Sequence, residues 1–209
     1  ENVACRAARR VSAVSGSKFV YSEMRKIILI TGGQRSGKSV YAEKLALSLS
    51  PSPVYIATAH VWDDEFASRV MRHKQRRGPQ WHNIEEEKFL SRHDISGKVA
   101  VVDCVTLWCT NFFFDRDAGE RQPTVDEALG EIKAEFDKFV NQDATFIFVT
   151  NEIGSGEVSG NAVQRRFTDL QGWMNQYVAA RADEVVLMVC GIPVRVKGGD
   201  GAGLPSLDV

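Results

Sequence analysis

Short β-branched runs that alternate with segments of helical period predict an α/β fold. A glycine-rich loop set between the first such run and the first helix makes it P-loop NTPase-like, a mostly parallel sheet flanked by helices. A last pair of apolar runs on either side of Gly191 adds a closing C-terminal hairpin.

Each element follows from local pattern. Ile27 to Ile30 is an apolar run between Lys26 and a glycine pair, as suits a strand buried on both faces. From Ser39, the spacing of Tyr41, Ala42, Leu45, Ala46 and Leu49 is helical, and Pro51 and Pro53 stop it. Val54 to Ala57 reads as a second strand, Asp63 to Arg77 as a charged helix and Val99 to Asp103 as a third strand. Helices are expected over Val105 to Phe114 and Val125 to Asn141, then a strand over Thr145 to Thr150 and a helix over Ala162 to Ala182. Val185 to Cys190 and Pro193 to Val196 form the hairpin. The order β-α-β-α-β places a ligand crevice at the carboxyl ends of the strands. No internal repeat is visible.

The chain of 209 residues suits one large α/β domain, expected over residues 24–197. Residues 1–23 read as a disordered or non-native leader, with Met24 the expected natural start; their Arg and Ser content leaves an organelle-targeting peptide open, and residues 198–209 read as a flexible tail. A formal charge of −1 supplies no overall positive field for nucleic acid, which is therefore not an expected partner. No run reaches the eighteen or so apolar residues that span a bilayer. Cys5, Cys104, Cys109 and Cys190 form no C-x-x-C pair, and the last three fall in apolar segments, where a thiol serves as a small hydrophobe. A reducing, cytoplasmic setting is expected.

Gly32-Gly33-Gln34-Arg35-Ser36-Gly37-Lys38-Ser39 fits G-x-x-x-x-G-K-[ST]. Glycines let backbone N–H groups turn toward phosphate, Lys38 reaches the terminal phosphates of GTP or ATP, and the Ser39 hydroxyl is placed for Mg2+. Asp103 ends an apolar strand, the position from which a P-loop enzyme's carboxylate supports the same ion.

Drawn as a helix, Asp63 to Arg77 puts Glu65, Arg69, Arg72 and Arg76 on one side and Phe66, Ala67, Val70 and Met71 on the other. His73 falls on the border, beside guanidinium groups that favour a neutral, nucleophilic ring. Spacing alone favours a solvated helix face with an incidental histidine. His60, His82 and His93 offer no zinc-ligand spacing with His73 or the cysteines, and G-x-S-x-G is absent. Phe112, Phe113 and Phe114 read as core.

From Met24 to about Lys197 these features together resemble the bifunctional adenosylcobinamide kinase/adenosylcobinamide-phosphate guanylyltransferases of cobalamin biosynthesis. The motifs that carry the resemblance are G-G-x-R-S-G-K-S at Gly32 to Ser39, Tyr55-Ile56-Ala57-Thr58, and Asp63-Asp64-Glu65 leading to Arg69 and His73-Lys74. Trp81, Glu85 and Val149-Thr150-Asn151-Glu152-Ile153-Gly154 complete the series. The resemblance implies an enzyme that phosphorylates the aminopropanol hydroxyl of adenosylcobinamide and then transfers GMP from GTP onto adenosylcobinamide phosphate. It implies that His73 is the guanylylated residue and that Ala57, Thr58, Ala59, Lys74, Arg77, Glu85 and Asp103 contact nucleotide. It also implies a homotrimer.

A carboxylate at Glu85 suits guanine, whose N–H edge donates twice where adenine cannot. The sequence departs from the family pattern at Arg72, where some members carry a second histidine, and at Gln75-Arg76. It leaves the base for the kinase step unidentified, with Asp103 one candidate. From the residues alone, a small-molecule kinase sharing only the cradle and a nucleotide-dependent switch stay open.

Overall fold

The computed structural model describes residues 25–60, 71, 77–114 and 122–198. The expectations for the leader, most of the tail and nearly all of the charged helix, His73 and Lys74 included, lie outside them. Of that helix Met71 and Arg77 are described: Met71 is helical and exposed, whereas Arg77, expected as its last residue, lies in a bend and not in a helix.

Among the described residues seven strands form one sheet in the order β3-β2-β4-β5-β1-β6-β7. They are β1 (Lys26–Gly32), β2 (Val54–Ala57), β3 (His82–Glu85), β4 (Val99–Asp103), β5 (Thr145–Val149), β6 (Glu184–Val189) and β7 (Ile192–Lys197). All neighbours pair in parallel except β6 and β7, the expected hairpin. The helices whose bounds fall among the described residues are α1 (Lys38–Leu49), α2 (Val105–Phe113), α3 (Val125–Phe139) and α4 (Ala162–Arg181), with a 3-10 turn over Leu90–Arg92. Among the described residues no helix is long and apolar enough to cross a membrane.

The sheet is covered on both faces, so β1 reads as an unbroken apolar run. Ile28 and Ile30 join Tyr41, Ala42 and Ala46 of α1 and Tyr55, Val101, Ile147 and Val149 in one core layer. Ile27 and Leu29 join Trp108, Ile132, Phe136, Phe148, Leu170 and Met174 in the other, beneath α2, α3 and α4. Each Val, Leu, Ile, Phe or Met among them, fully withdrawn from water, contributes about 1.5–3 kcal/mol before its entropy cost. α3 begins with a capping box in which Thr124 accepts from the Glu127 N–H and Glu127 accepts from the Thr124 N–H. At the end of α4, Asp183 grips β1 through its own N–H to Ile27 O and through Ile27 N–H to its carboxylate.

Three further expectations need correction. β3 was not anticipated: His-Asn-Ile-Glu is polar and mostly exposed, and it is a strand because it pairs with β2 at the sheet edge. Cys190 is exposed rather than a buried apolar filler, since with Gly191 it makes the two-residue turn between β6 and β7, where both residues have positive φ (52° and 84°). Phe112 and Phe113 are core, but Phe114 follows the end of α2 and is 40% exposed.

Candidate active site

The cradle joins β1 to α1 at the carboxyl edge of the sheet. Gly37 sits at the N-cap of α1 with φ 94°, offers no side chain to cap it, and no acidic residue occupies the first turn. The first N–H groups of the helix are thus left for an anion, with the helix dipole favouring negative charge. Lys38 lies along the loop, its ammonium donating to Gly33 O at 2.6 Å. Burial lowers its pKa, while neighbouring Cys104 and Asp103 pull it back up. Such an ammonium is short of counter-charge, a deficit a polyphosphate would supply.

The two adjacent glycines do different work. A methyl group on Gly32, whose φ is 148°, would lie 2.6 Å from Met188 O and 2.9 Å from Ser36 Oγ. One on Gly33 would meet nothing within 4 Å. Gly32 therefore lets the loop lie against β6, and Gly33 lines open space. The hairpin turn closes on the same loop, Gly191 N–H donating to Ser36 O at 3.1 Å. The sequence shows the hairpin but not this contact, which joins residues 155 positions apart. Arg35 holds a left-handed conformation, φ 59°, and with Gln34 is exposed on the outer side of the loop.

Strand register brings three of the sequence-predicted residues level. Ala57 of β2 pairs with Glu85 of β3 on one side and with Asp103 of β4 on the other. These residues, far apart in the chain, end adjacent parallel strands on one edge and point to the same face. Thr58, next along β2, is fully buried, and its groups are all engaged: N–H to Asp103 O, carbonyl from Asn111 Nδ2, hydroxyl to Cys104 O and from Cys104 N–H. It fastens β2 to β4 and holds the backbone that carries Ala57 and half-buried Ala59.

Arg77 is likewise committed within the protein. Its guanidinium stacks 3.6 Å from the Tyr55 ring centre, Nε donates to Asn83 Oδ1 at 2.8 Å, and Nη1 lies 3.8 Å from Glu43, with the side chain 4% exposed. The Tyr55 hydroxyl donates to Asp103 Oδ2 at 2.7 Å. Burial raises the Tyr55 pKa well above the ordinary value, the Asp103 carboxylate adding to the shift, so the phenol stays a neutral donor. Asp103 Oδ1 takes no hydrogen bond from a described residue. The Ser39 hydroxyl, the Asp103 carboxylate and phosphate oxygens would form an all-oxygen donor set, the chemistry Mg2+ requires.

Next to β1, the segment after β5 forms a polar network that the sequence marked only as a motif. Thr106 Oγ1 is the shared acceptor for Asn151 N–H (3.1 Å), Asn151 Nδ2 (3.0 Å) and Gln171 Nε2 (2.8 Å). Gln171 Nε2 also donates to Asn151 O, as does Asn175 Nδ2. Thr150, fully buried, donates to Asn175 Oδ1. Residues Thr150 to Glu152 are thereby clamped between α2, α4 and the cradle. The sequence signal was a run of small polar residues directly after an apolar strand.

The model of a family described as cobinamide kinase / cobinamide phosphate guanyltransferase matches residues 28–196. The bifunctional adenosylcobalamin biosynthesis protein CobU of Escherichia coli (strain K12) is 38% identical over 182 residues, covering 82% of this chain and 99% of its own length. The bifunctional adenosylcobalamin biosynthesis protein CobP of Pseudomonas aeruginosa is 38% identical over 178 residues, with coverage of 81% and 96%. CobU of Salmonella typhimurium (strain LT2) is 38% identical over 182 residues, with coverage of 82% and 99%.

Proposed function

Because this chain belongs to the cobinamide kinase / cobinamide phosphate guanyltransferase family, we propose that its cradle and the row Ala57, Glu85 and Asp103 form one nucleotide site serving both activities. The enzyme phosphorylates adenosylcobinamide and then transfers GMP from GTP to adenosylcobinamide phosphate, giving adenosylcobinamide-GDP. The observation that carries the site assignment is the register, which sets the carboxylate suited to guanine and the carboxylate suited to the phosphates on the same sheet edge as the cradle.

In the phosphoryl-transfer step, Lys38 and the N-terminal amides of α1 bind the terminal phosphates and take up charge as the γ-phosphoryl group moves. Ser39 and Asp103 would hold Mg2+, which when bound would supply positive charge to the phosphate oxygens. Glu85 accepts from the guanine N–H edge, laying the nucleotide across the strand ends with its phosphates toward the cradle. Thr58 and Arg77 act on this site by position: one braces the strand ends, the other fixes Tyr55 beneath Asp103.

In the nucleotidyl-transfer step, a neutral ring nitrogen of His73 attacks the α-phosphorus of GTP. The N–P bond forms as the bond to the α,β-bridging oxygen breaks, and pyrophosphate leaves. A phosphate oxygen of the substrate then attacks the same phosphorus and frees His73, so two displacements replace one encounter between anions. Lys74, beside the histidine in sequence, supplies positive charge to the phosphates.

Intact mass measured after incubation with GTP and Mg2+ tests this. A covalent GMP adduct is expected on the wild-type chain and none on His73→Ala, and adenosylcobinamide should yield both phosphorylated and GDP-linked products. No adduct, or an adduct that survives His73→Ala, would remove His73 as the nucleophile.

A further inference from the structure

Phosphorylating a hydroxyl requires a group to take its proton. Asp103, the candidate legible in sequence, ends a strand separated from β1 by β5, two strand spacings or about 10 Å, and its Oδ2 is held by Tyr55. Glu152 is placed differently. It follows β5, the strand beside β1, and its backbone N–H donates to Gly32 O at 3.1 Å. Its Oε1 accepts from the Thr31 hydroxyl at 2.7 Å and from Asn175 Nδ2 at 3.2 Å. Thr31 directly precedes the first cradle glycine, so main chain and side chain of Glu152 are both tied to the point where the phosphate loop begins. One carboxylate oxygen is anchored; the residue is exposed, and Oε2 takes no hydrogen bond from a described residue.

We propose that Glu152 is the general base of the kinase half-reaction. Its Oε2 accepts the proton of the substrate hydroxyl while that oxygen bonds to the γ-phosphorus. The bond from the γ-phosphorus to the β,γ-bridging oxygen breaks, and the nucleoside diphosphate leaves. Thr31 and Asn175 hold the carboxylate by its other oxygen, so it meets the hydroxyl already oriented. The buried network behind it, Thr150 with Asn175 and Gln171 with Asn151, ties this base to α4. Thr31 and Asn175 are positioning residues. This inference rests on the kinase activity assigned above.

The test is the full chain with adenosylcobinamide, nucleoside triphosphate and Mg2+, following the phosphorylated product alongside nucleotide KM and thermal midpoint. Glu152→Gln keeps an oxygen to accept from Thr31 but removes the basicity. It should lower kcat of phosphorylation by about 100-fold with nucleotide KM within about threefold of wild type, and it should depress the kinase rate relative to guanylyl transfer. Glu152→Ala should regain part of its rate in added formate, and Thr31→Val should lie between wild type and Glu152→Gln. Phosphorylation by Glu152→Gln within about threefold of wild type, an equal fall in both half-reactions, or a loss confined to nucleotide KM would each overturn the assignment. A wild-type chain that makes no phosphorylated product while still forming the GMP adduct would sink the kinase reading itself, and the role of Glu152 with it.

Discussion

The Arg77 guanidinium lies 3.6 Å from the centre of the Tyr55 ring, and the hydroxyl of that ring donates to Asp103. Arg77 comes four residues after His73 in the sequence. Through this stack the end of the segment that bears the proposed nucleophile is pinned to the strand edge that carries Asp103.

Tyr55→Phe keeps the ring under Arg77 and removes only the hydrogen bond to a carboxylate; it should cost about 1.5–3 kcal/mol. Arg77→Ala removes the stack and leaves the buried Glu43 carboxylate one cation short, for about 2–4 kcal/mol. Arg77→Lys should restore little, because an ammonium does not reproduce the planar stack or the bond to Asn83. Urea denaturation of the single variants and of Arg77→Ala with Tyr55→Phe measures these costs, and non-additivity of the pair would expose the coupling through the ring.

Gly32 and Gly33 should respond oppositely to alanine. Gly32→Ala sets a methyl group against Met188 O and Ser36 Oγ at a φ that disfavours side chains, for about 1–3 kcal/mol and at least tenfold weaker nucleotide binding. Gly33→Ala should leave stability within about 0.5 kcal/mol of wild type. Denaturation curves together with GTP titrations separate the two.

Thr106→Val removes the acceptor shared by Asn151 and Gln171; Gln171 Nε2 keeps Asn151 O, but the N–H and Nδ2 of half-buried Asn151 lose their acceptor. A loss of about 2–3 kcal/mol is expected, with a slower kinase step because the clamp on Glu152 loosens. Thr106→Ser keeps the oxygen and should recover most of both. Paired thermal melts and product counts check this.

Glu86 gives the acid limb of the stability profile. Burial works to raise its pKa, but N–H groups of Phe89 and Lys88 and the His93 ring together hold it below its ordinary value of 4.5. A depressed carboxylate pKa contributes stability above the unfolded-state value and loses it as pH falls through the folded-state value. Glu86→Gln should therefore be less stable than wild type at pH 7 and decline less steeply below pH 4.5. Urea midpoints taken from pH 7 to pH 3 would show the curves converging.

The amino-acid sequence by itself determined the cradle, the alternation of strands and helices and the C-terminal hairpin, because these are written in local spacing: glycines at fixed intervals, period-3.6 faces, apolar runs. It also offered Asp103 and His73, and through the family resemblance Glu85, as candidates of suitable chemistry. Tertiary structure decided how distant segments meet. Ala57, Glu85 and Asp103 stand level only because β2 lies between β3 and β4, and β3 exists only by pairing, since His-Asn-Ile-Glu has no apolar pattern of its own. The turn at Gly191 braces a loop 155 residues away, and Glu152 reaches Thr31 across 121 positions. Those contacts depend on strand order, and strand order is set by which faces bury best against each other, a property of the whole chain that no window of sequence contains.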